Sequence, residues 1–142
     1  MEKPTYQNIK TVLIADDDED LRDVLQEAIN DLGFVSVAVP NGAAAFEKLK
    51  AGGFDLLLTD FRMPVMDGVE LMEKCRQNNI HIPVIFFSTN ADLVSKEQVA
   101  LSDCCATLMF KPLHRRVLLA ALSAADQRSH HKDCIHSRTG PA

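Results

Sequence analysis

The sequence predicts an α/β protein built on a doubly wound, five-stranded parallel sheet in a three-layer sandwich. Two observations carry that expectation. Five short β-rich apolar runs are each followed by a stretch with helical spacing, and repeated strand-then-helix order is what a parallel sheet requires. The middles of the runs also lack polar alternation, most clearly LLL at 56–58 and VIFF at 84–87, as expected of strands covered by helices on both faces.

Taken in order, the first strand is TVLIA at 11–15 and leads through the acidic run at 16–20 into the clearest helix. There Leu21, Val24, Leu25, Ala28, Ile29 and Leu32 fall on one apolar stripe, and Gly33 ends it because glycine readily takes positive φ. FVSVAV at 34–39 is the second strand, followed by a helix over about 43–50. DLLLTD at 55–60 precedes a helix over about 69–77, and PVIFFS at 83–88 a helix over about 93–102. ATLMF at 106–110 is the fifth strand, with the last helix over about 113–125.

The 142 residues suit one domain, read as residues 10–125 between an N-terminal extension (1–9) and a flexible tail or linker stump (126–142). With 15 basic and 20 acidic side chains the net charge is −5. That balance argues against direct nucleic-acid binding, which needs a basic face for phosphates, and against an anionic membrane surface. No apolar run approaches the roughly 18 residues of a membrane span and the start has no signal-peptide core, so a cytoplasmic location is expected. Cys75, Cys104, Cys105 and Cys134 contain no C-x-x-C pair and read as reduced thiols. The tail's His130, His131, Cys134 and His136 could grip a transition metal, but a short polar terminus seldom offers a fixed geometry.

In an open parallel sheet, side chains at the carboxyl ends of the strands converge on one rim, and ligands bind where the strand order reverses. The first strand ends in Asp16 and Asp17, the third in Asp60, the fourth in Ser88 and Thr89, and the fifth in Lys111. Carboxylates that close repel, each pair by about 4 kcal/mol at 4 Å and an effective dielectric of 20. Lys111 supplies one compensating charge, and a hard divalent cation, Mg²⁺, is the natural second. An all-oxygen donor set argues against zinc. Asp18, Glu19 and Asp20 read as helix-capping and dipole-complementing acids.

The stretches IADDDEDLR at 14–22, LLLTDFRMPVMDG at 56–68, PVIFFST at 83–89 and FKPL at 110–113 make residues 10 to 125 resemble the receiver domain of two-component response regulators. The resemblance implies a flavodoxin-like fold with strand order 2-1-3-4-5. It further implies that Asp60 is the phosphoacceptor, taking a phosphoryl group from a phosphohistidine on a histidine kinase or histidine phosphotransfer protein. Asp17, Asp60 and the backbone carbonyl of Arg62 would hold Mg²⁺ directly, with Asp16 acting mainly through a water on the ion. Lys111, aimed by Pro112, would pair with a phosphoryl oxygen, and Ser88 would donate its hydroxyl. Drawing Ser88 inward would repack the face of the fourth helix, fifth strand and fifth helix for a downstream protein partner. Such a chain is a phosphoacceptor with slow self-hydrolysis, not an enzyme in the turnover sense. Met63, Pro64, Met66, Asp67 and Gly68 are read as loop-shaping, with Asp67 a cap and Gly68 tolerating unusual backbone angles.

Three positions depart from the commoner receiver pattern. Leu108 stands where an aromatic ring often couples to the hydroxyl, Thr89 adds a β-branched side chain where a small residue usually leaves room for the phosphoryl group, and no glycine occurs between Ala91 and Phe110. Arg62 and Asn90 flank the route of a hydrolytic water and are expected to tune dephosphorylation. Two competing readings follow: a degenerate receiver that binds protein irrespective of phosphorylation, and a phosphatase with Asp16 as nucleophile, for which the chain is short. Val117, Leu118, Ala121 and Leu122 of the last helix could serve the core or a homodimer face, the core being preferred for most of them.

Overall fold

The computed structural model describes residues 9–88, 95–101, 106–110 and 114–128. Five strands alternate with five helices: β1 (Thr11–Ala15), α1 (Glu19–Asp31), β2 (Val35–Val39), α2 (Gly42–Ala51), β3 (Leu56–Asp60), α3 (Gly68–Gln77), β4 (Val84–Ser88), α4 (Ser95–Ala100), β5 (Ala106–Phe110) and α5 (Arg115–Arg128). All neighbouring pairs are parallel and the order is β2-β1-β3-β4-β5, as expected. The reversal lies between β1 and β3, which pair with Val12 opposite Leu56 and Ala15 opposite Thr59.

Adjacent strand residues point to opposite faces, and here both faces are covered. Leu13, Ala15, Leu57 and Phe86 pack with Phe46 and Leu49 of α2, Leu71 and Met72 of α3 and Ala100 of α4. Val12, Ile14, Leu56, Leu58, Ile85 and Phe87 pack with Leu25 and Ile29 of α1 and Leu118 and Leu122 of α5. The uninterrupted apolar runs thus divide residue by residue between two cores. Each fully buried Leu, Ile or Phe contributes about 1.5–3 kcal/mol relative to exposure.

The helix limits follow local chemistry. In α1 the Asp18 carboxylate caps the N-terminus by accepting from the Asp20 and Leu21 amides, and Gly33 at φ 103° follows the other end. Val24 is a correction to the apolar stripe: it is exposed, because it lies roughly 100° round the helix from its buried neighbour Leu25. In α5 Leu118 and Leu122 are core while Val117 is exposed. That helix runs to Arg128, past the expected end at Ala125, and the buried Asp126 accepts the Ile9 amide at 2.8 Å. The packed unit therefore takes in Ile9 and Asp126. The fourth helix is described only over Ser95–Ala100; residues 93, 94 and 102, and with them the expected limits, lie outside the described residues. So do the tail histidines, Cys104, Cys105 and Cys134.

Candidate functional site

The rim begins where β1 ends. Asp16 still donates its amide to the Val39 carbonyl at 3.2 Å, so its side chain is set by the sheet. Its Oδ1 accepts the Asp18 amide at 2.8 Å, and Arg22 Nη1 donates to its carbonyl at 2.8 Å. Asp16 is fully buried, Asp17 beside it is exposed, and Asp60 at the end of β3 is half-buried. One carboxylate oxygen from each of the three lies within 4.8 Å of the others. Parallel pairing of β1 and β3 at the reversal produces this convergence, which no sequence-local interaction could.

Such a set suits a hard cation. Every donor is a carboxylate oxygen, and neither imidazole nor thiolate belongs to the group among the described residues, which fits Mg²⁺ far better than zinc. The graded burial leaves Asp17 on the open side, where an ion keeping several waters would enter.

Asp60 is held by a loop that the sequence alone explained only in part. Phe61 is buried and stacks on Phe86 with ring centroids 4.4 Å apart. The Arg62 amide donates to Asp60 Oδ1 at 3.3 Å. Gly68 donates its amide to the Phe61 carbonyl at 2.9 Å. Gly68 is needed for space: a Cβ there would stand 2.2 Å from the Asp60 carbonyl oxygen, while its φ is not among the positive ones. That corrects the expectation of unusual backbone angles. Gly42, which sequence reasoning passed over, plays the same part for Met66, whose carbonyl would lie 2.4 Å from an added Cβ and accepts the Gly42 amide at 3.1 Å. Asp67 caps α3 in a reciprocal box with Glu70, as expected.

Ser88 closes β4 and is buried. Asp60 pairs in register with Phe87, so Ser88 stands one residue beyond the acceptor on the adjoining strand. Leu108 lies opposite Phe86 in β5 and packs into the core on the α2, α3 and α4 face, where it supplies apolar contact and no ring. Lys111, Thr89 and Asn90 lie outside the described residues. Arg62 directs its guanidinium to Glu97 of α4, with Nε and Nη2 each 3.3 Å from a carboxylate oxygen. Nothing in the local sequence pattern pointed to Glu97 as a partner 35 residues away.

An open doubly wound sheet with an acidic trio at its strand reversal defines a class of α/β module that acts at its carboxyl rim. Residues 12–123 match the family described as the response regulator receiver domain, and the chain belongs to that family. Among curated relatives it is 37% identical over 120 residues to the sensor protein EvgS of Escherichia coli K12, a match covering 84% of this chain and 10% of EvgS. It is 35% identical over 112 residues to the response regulator receiver protein CpdR of Brucella abortus, covering 78% of this chain and 92% of CpdR. The receiver domain of Francisella response regulator 1452 has the same fold, with TM-score 0.75, 24% identity and coverage of 84% of this chain and 98% of that one. The family is a module of two-component signalling rather than a classical enzyme. Among the described residues no helix is long and apolar enough to cross a membrane.

Proposed function

We propose that this receiver accepts a phosphoryl group on Asp60 from a phosphohistidine carried by a histidine kinase or histidine phosphotransfer protein. The observation that carries the reading is the convergence of Asp16, Asp17 and Asp60 oxygens within 4.8 Å at the strand reversal. An Asp60 carboxylate oxygen attacks phosphorus, the phosphorus–nitrogen bond of the donor breaks, and the departing imidazole takes up a proton. Asp17, Asp60 and the Arg62 carbonyl would hold Mg²⁺ directly, with Asp16 acting mainly through a water on the ion. When bound, Mg²⁺ would supply charge compensation for the phosphoryl oxygens. Ser88, at the rim beside Asp60, donates its hydroxyl to the transferred group, and Lys111 pairs with another of its oxygens.

The modified state presents a changed surface on α4, β5 and α5 to a downstream protein, which shifts the equilibrium only through differential affinity. Leu108, which packs against the core, has no ring to rotate, so aromatic coupling from β5 to the rim is absent or rerouted in this chain. The reading is tested by incubating the full chain with acetyl phosphate and Mg²⁺ and measuring intact mass. One phosphoryl group per chain is expected, abolished by a chelator and by Asp60→Asn. A chain that stays unmodified with Mg²⁺ present overturns the proposal in favour of a phosphorylation-independent binding module.

A further inference from the structure

The sequence contains one Asn–Gly pair, Asn41–Gly42, and it stands where the chain passes from β2 into α2. An asparagine in this setting is chemically labile. The nitrogen of the next residue, once stripped of its proton, attacks the side-chain amide carbon, and a glycine there has no Cβ to obstruct the approach or to restrict the backbone angles that ring closure needs. The structure opposes that reaction at two points. Asn41 Oδ1 accepts the Ala44 amide at 2.8 Å as the cap of α2, which holds the side chain on the helix end. The Gly42 N–H, whose proton has to leave, is donated to the Met66 carbonyl at 3.1 Å.

Met66 belongs to the loop that follows Asp60. Its half-buried side chain packs against the core on the α2, α3 and α4 face, and the same loop is held at Phe61 by the ring stack on Phe86 and by the Gly68 hydrogen bond. The fit at Gly42 leaves no slack, since an added Cβ would lie 2.4 Å from the Met66 carbonyl oxygen and 3.0 Å from Met66 Cβ. Asp67–Gly68 at the other end of the loop is a related pair, but an ionised carboxylate is a poor electrophile and its rearrangement leaves the mass unchanged. Asn41 is the position where covalent ageing and the closure of this loop meet.

We propose that Asn41–Gly42 is a site of spontaneous deamidation gated by the Met66 loop, and that the isoaspartyl product keeps the loop from closing again. The reaction proceeds only from the local opening in which the Gly42 and Met66 backbones have parted. The Gly42 nitrogen then bonds to Asn41 Cγ, the Cγ–Nδ2 bond breaks, and the departing nitrogen leaves as ammonia with the proton that Gly42 gave up. Water opens the resulting imide at one carbonyl or the other, leaving aspartate or isoaspartate, each with a carboxylate where the asparagine had a neutral amide. Aspartate keeps the chain length and caps a helix as well as asparagine does. Isoaspartate routes the main chain through the former side-chain methylene, lengthening it by one carbon at the point where Gly42 has no room against Met66. The site stands independently of what Asp60 accepts.

The test ages the full 142-residue chain in mildly alkaline buffer and follows residue 41 by peptide mass, with isoaspartate counted by the methyltransferase that recognises it. Asn41 is expected to convert roughly ten-fold or more slowly in the folded chain than in the same chain unfolded by urea. Met66→Ala, which strips the loop's contact with the core and leaves the Asn–Gly pair intact, should raise the folded-state rate by roughly five-fold or more. Ile29→Val, in the opposite core, should change it by less than about two-fold, and neither variant should alter the rate in urea. Hydrogen exchange of peptides covering 61–68 should be roughly ten-fold faster in the isoaspartyl fraction, while Asn41→Asp stays as slow as the parent chain. Protected β3 amides verify folding in each sample. Equal rates with and without urea, or equal acceleration by Met66→Ala and Ile29→Val, overturn the gate. An isoaspartyl fraction with unchanged loop exchange overturns the effect on closure, and an Asn41 that does not convert even in urea overturns the site.

Discussion

Val65 stands at φ 71° and is 80% exposed, two features that a β-branched residue rarely combines. The Met66 amide donates to the Pro64 carbonyl at 2.8 Å, closing a tight γ-turn around Val65 in its strained, positive-φ sense. Strain of this kind costs about 1–3 kcal/mol, and neither packing nor burial compensates Val65 directly. Val65→Gly relieves it while adding unfolded-state entropy of up to about 1 kcal/mol. The net expectation is stabilisation by about 1 kcal/mol, read as a higher midpoint in urea at unchanged slope. Cys75 illustrates the opposite case, a residue hidden by its neighbours. Burial pushes its thiol up from 9.0 to about 11, only partly opposed by the Arg76 charge. A raised folded pKa means that stability is intact below pH 9 and is lost as pH rises toward 11. Urea melts between pH 8 and 11 should therefore show an alkaline decline, on the order of 2–3 kcal/mol, that is absent in Cys75→Val.

At the scale of elements, helix ends are set by side chains close in sequence and apolar faces by packing. Asp67 and Glu70 satisfy two amides of α3 reciprocally, and Asp67→Ala should cost about 0.5–2 kcal/mol, measured by chemical denaturation. Both ends of that contact could be read three residues apart in the chain, as could the Asp18 cap of α1. The reach of an apolar stripe could not. Val24 shares the helical spacing of Leu25 and Ile29 yet faces solvent, because α1 packs one side against the sheet and buries only a narrow sector. Gly42 and Gly68 mark a similar boundary. At each a Cβ would collide with a backbone carbonyl oxygen, 2.4 Å away at Gly42 and 2.2 Å at Gly68, and no local pattern announces an approach made by another segment. Phe46 likewise carries Lys50 of its own helix and Lys74 of α3 over its ring at 5.1 and 5.0 Å, a join between helices that spacing within either could not reveal.

The whole molecule places an acidic trio at one end of an already acidic chain, whose net charge is −5. Mutual repulsion there works against folding, and a bound cation relieves it. Added Mg²⁺ should therefore raise the melting temperature, by an increment equivalent to about 2.7 kcal/mol at a hundred-fold excess over the dissociation constant. Calcium-free buffer, a chelator control and Asp17→Asn complete the measurement: the increment should vanish with the chelator and shrink in the variant. A melting temperature indifferent to Mg²⁺ would count against ion binding at the trio.

Element order, the two-sided burial of the strands and the acids at the strand ends were all present in the sequence, because they depend on spacing and residue type within short windows. Motif resemblance supplied the strand order and the likeness to receivers. Tertiary structure alone decided that Asp16, Asp17 and Asp60 bring oxygens within 4.8 Å, that Phe61 anchors on Phe86, and that Arg62 reaches Glu97. The physical reason is the range of the interactions. Caps, turns and periodic faces are settled by neighbours a few residues away, whereas ion pairs, ring stacks and backbone-to-glycine contacts exist only once distant strands have been laid side by side.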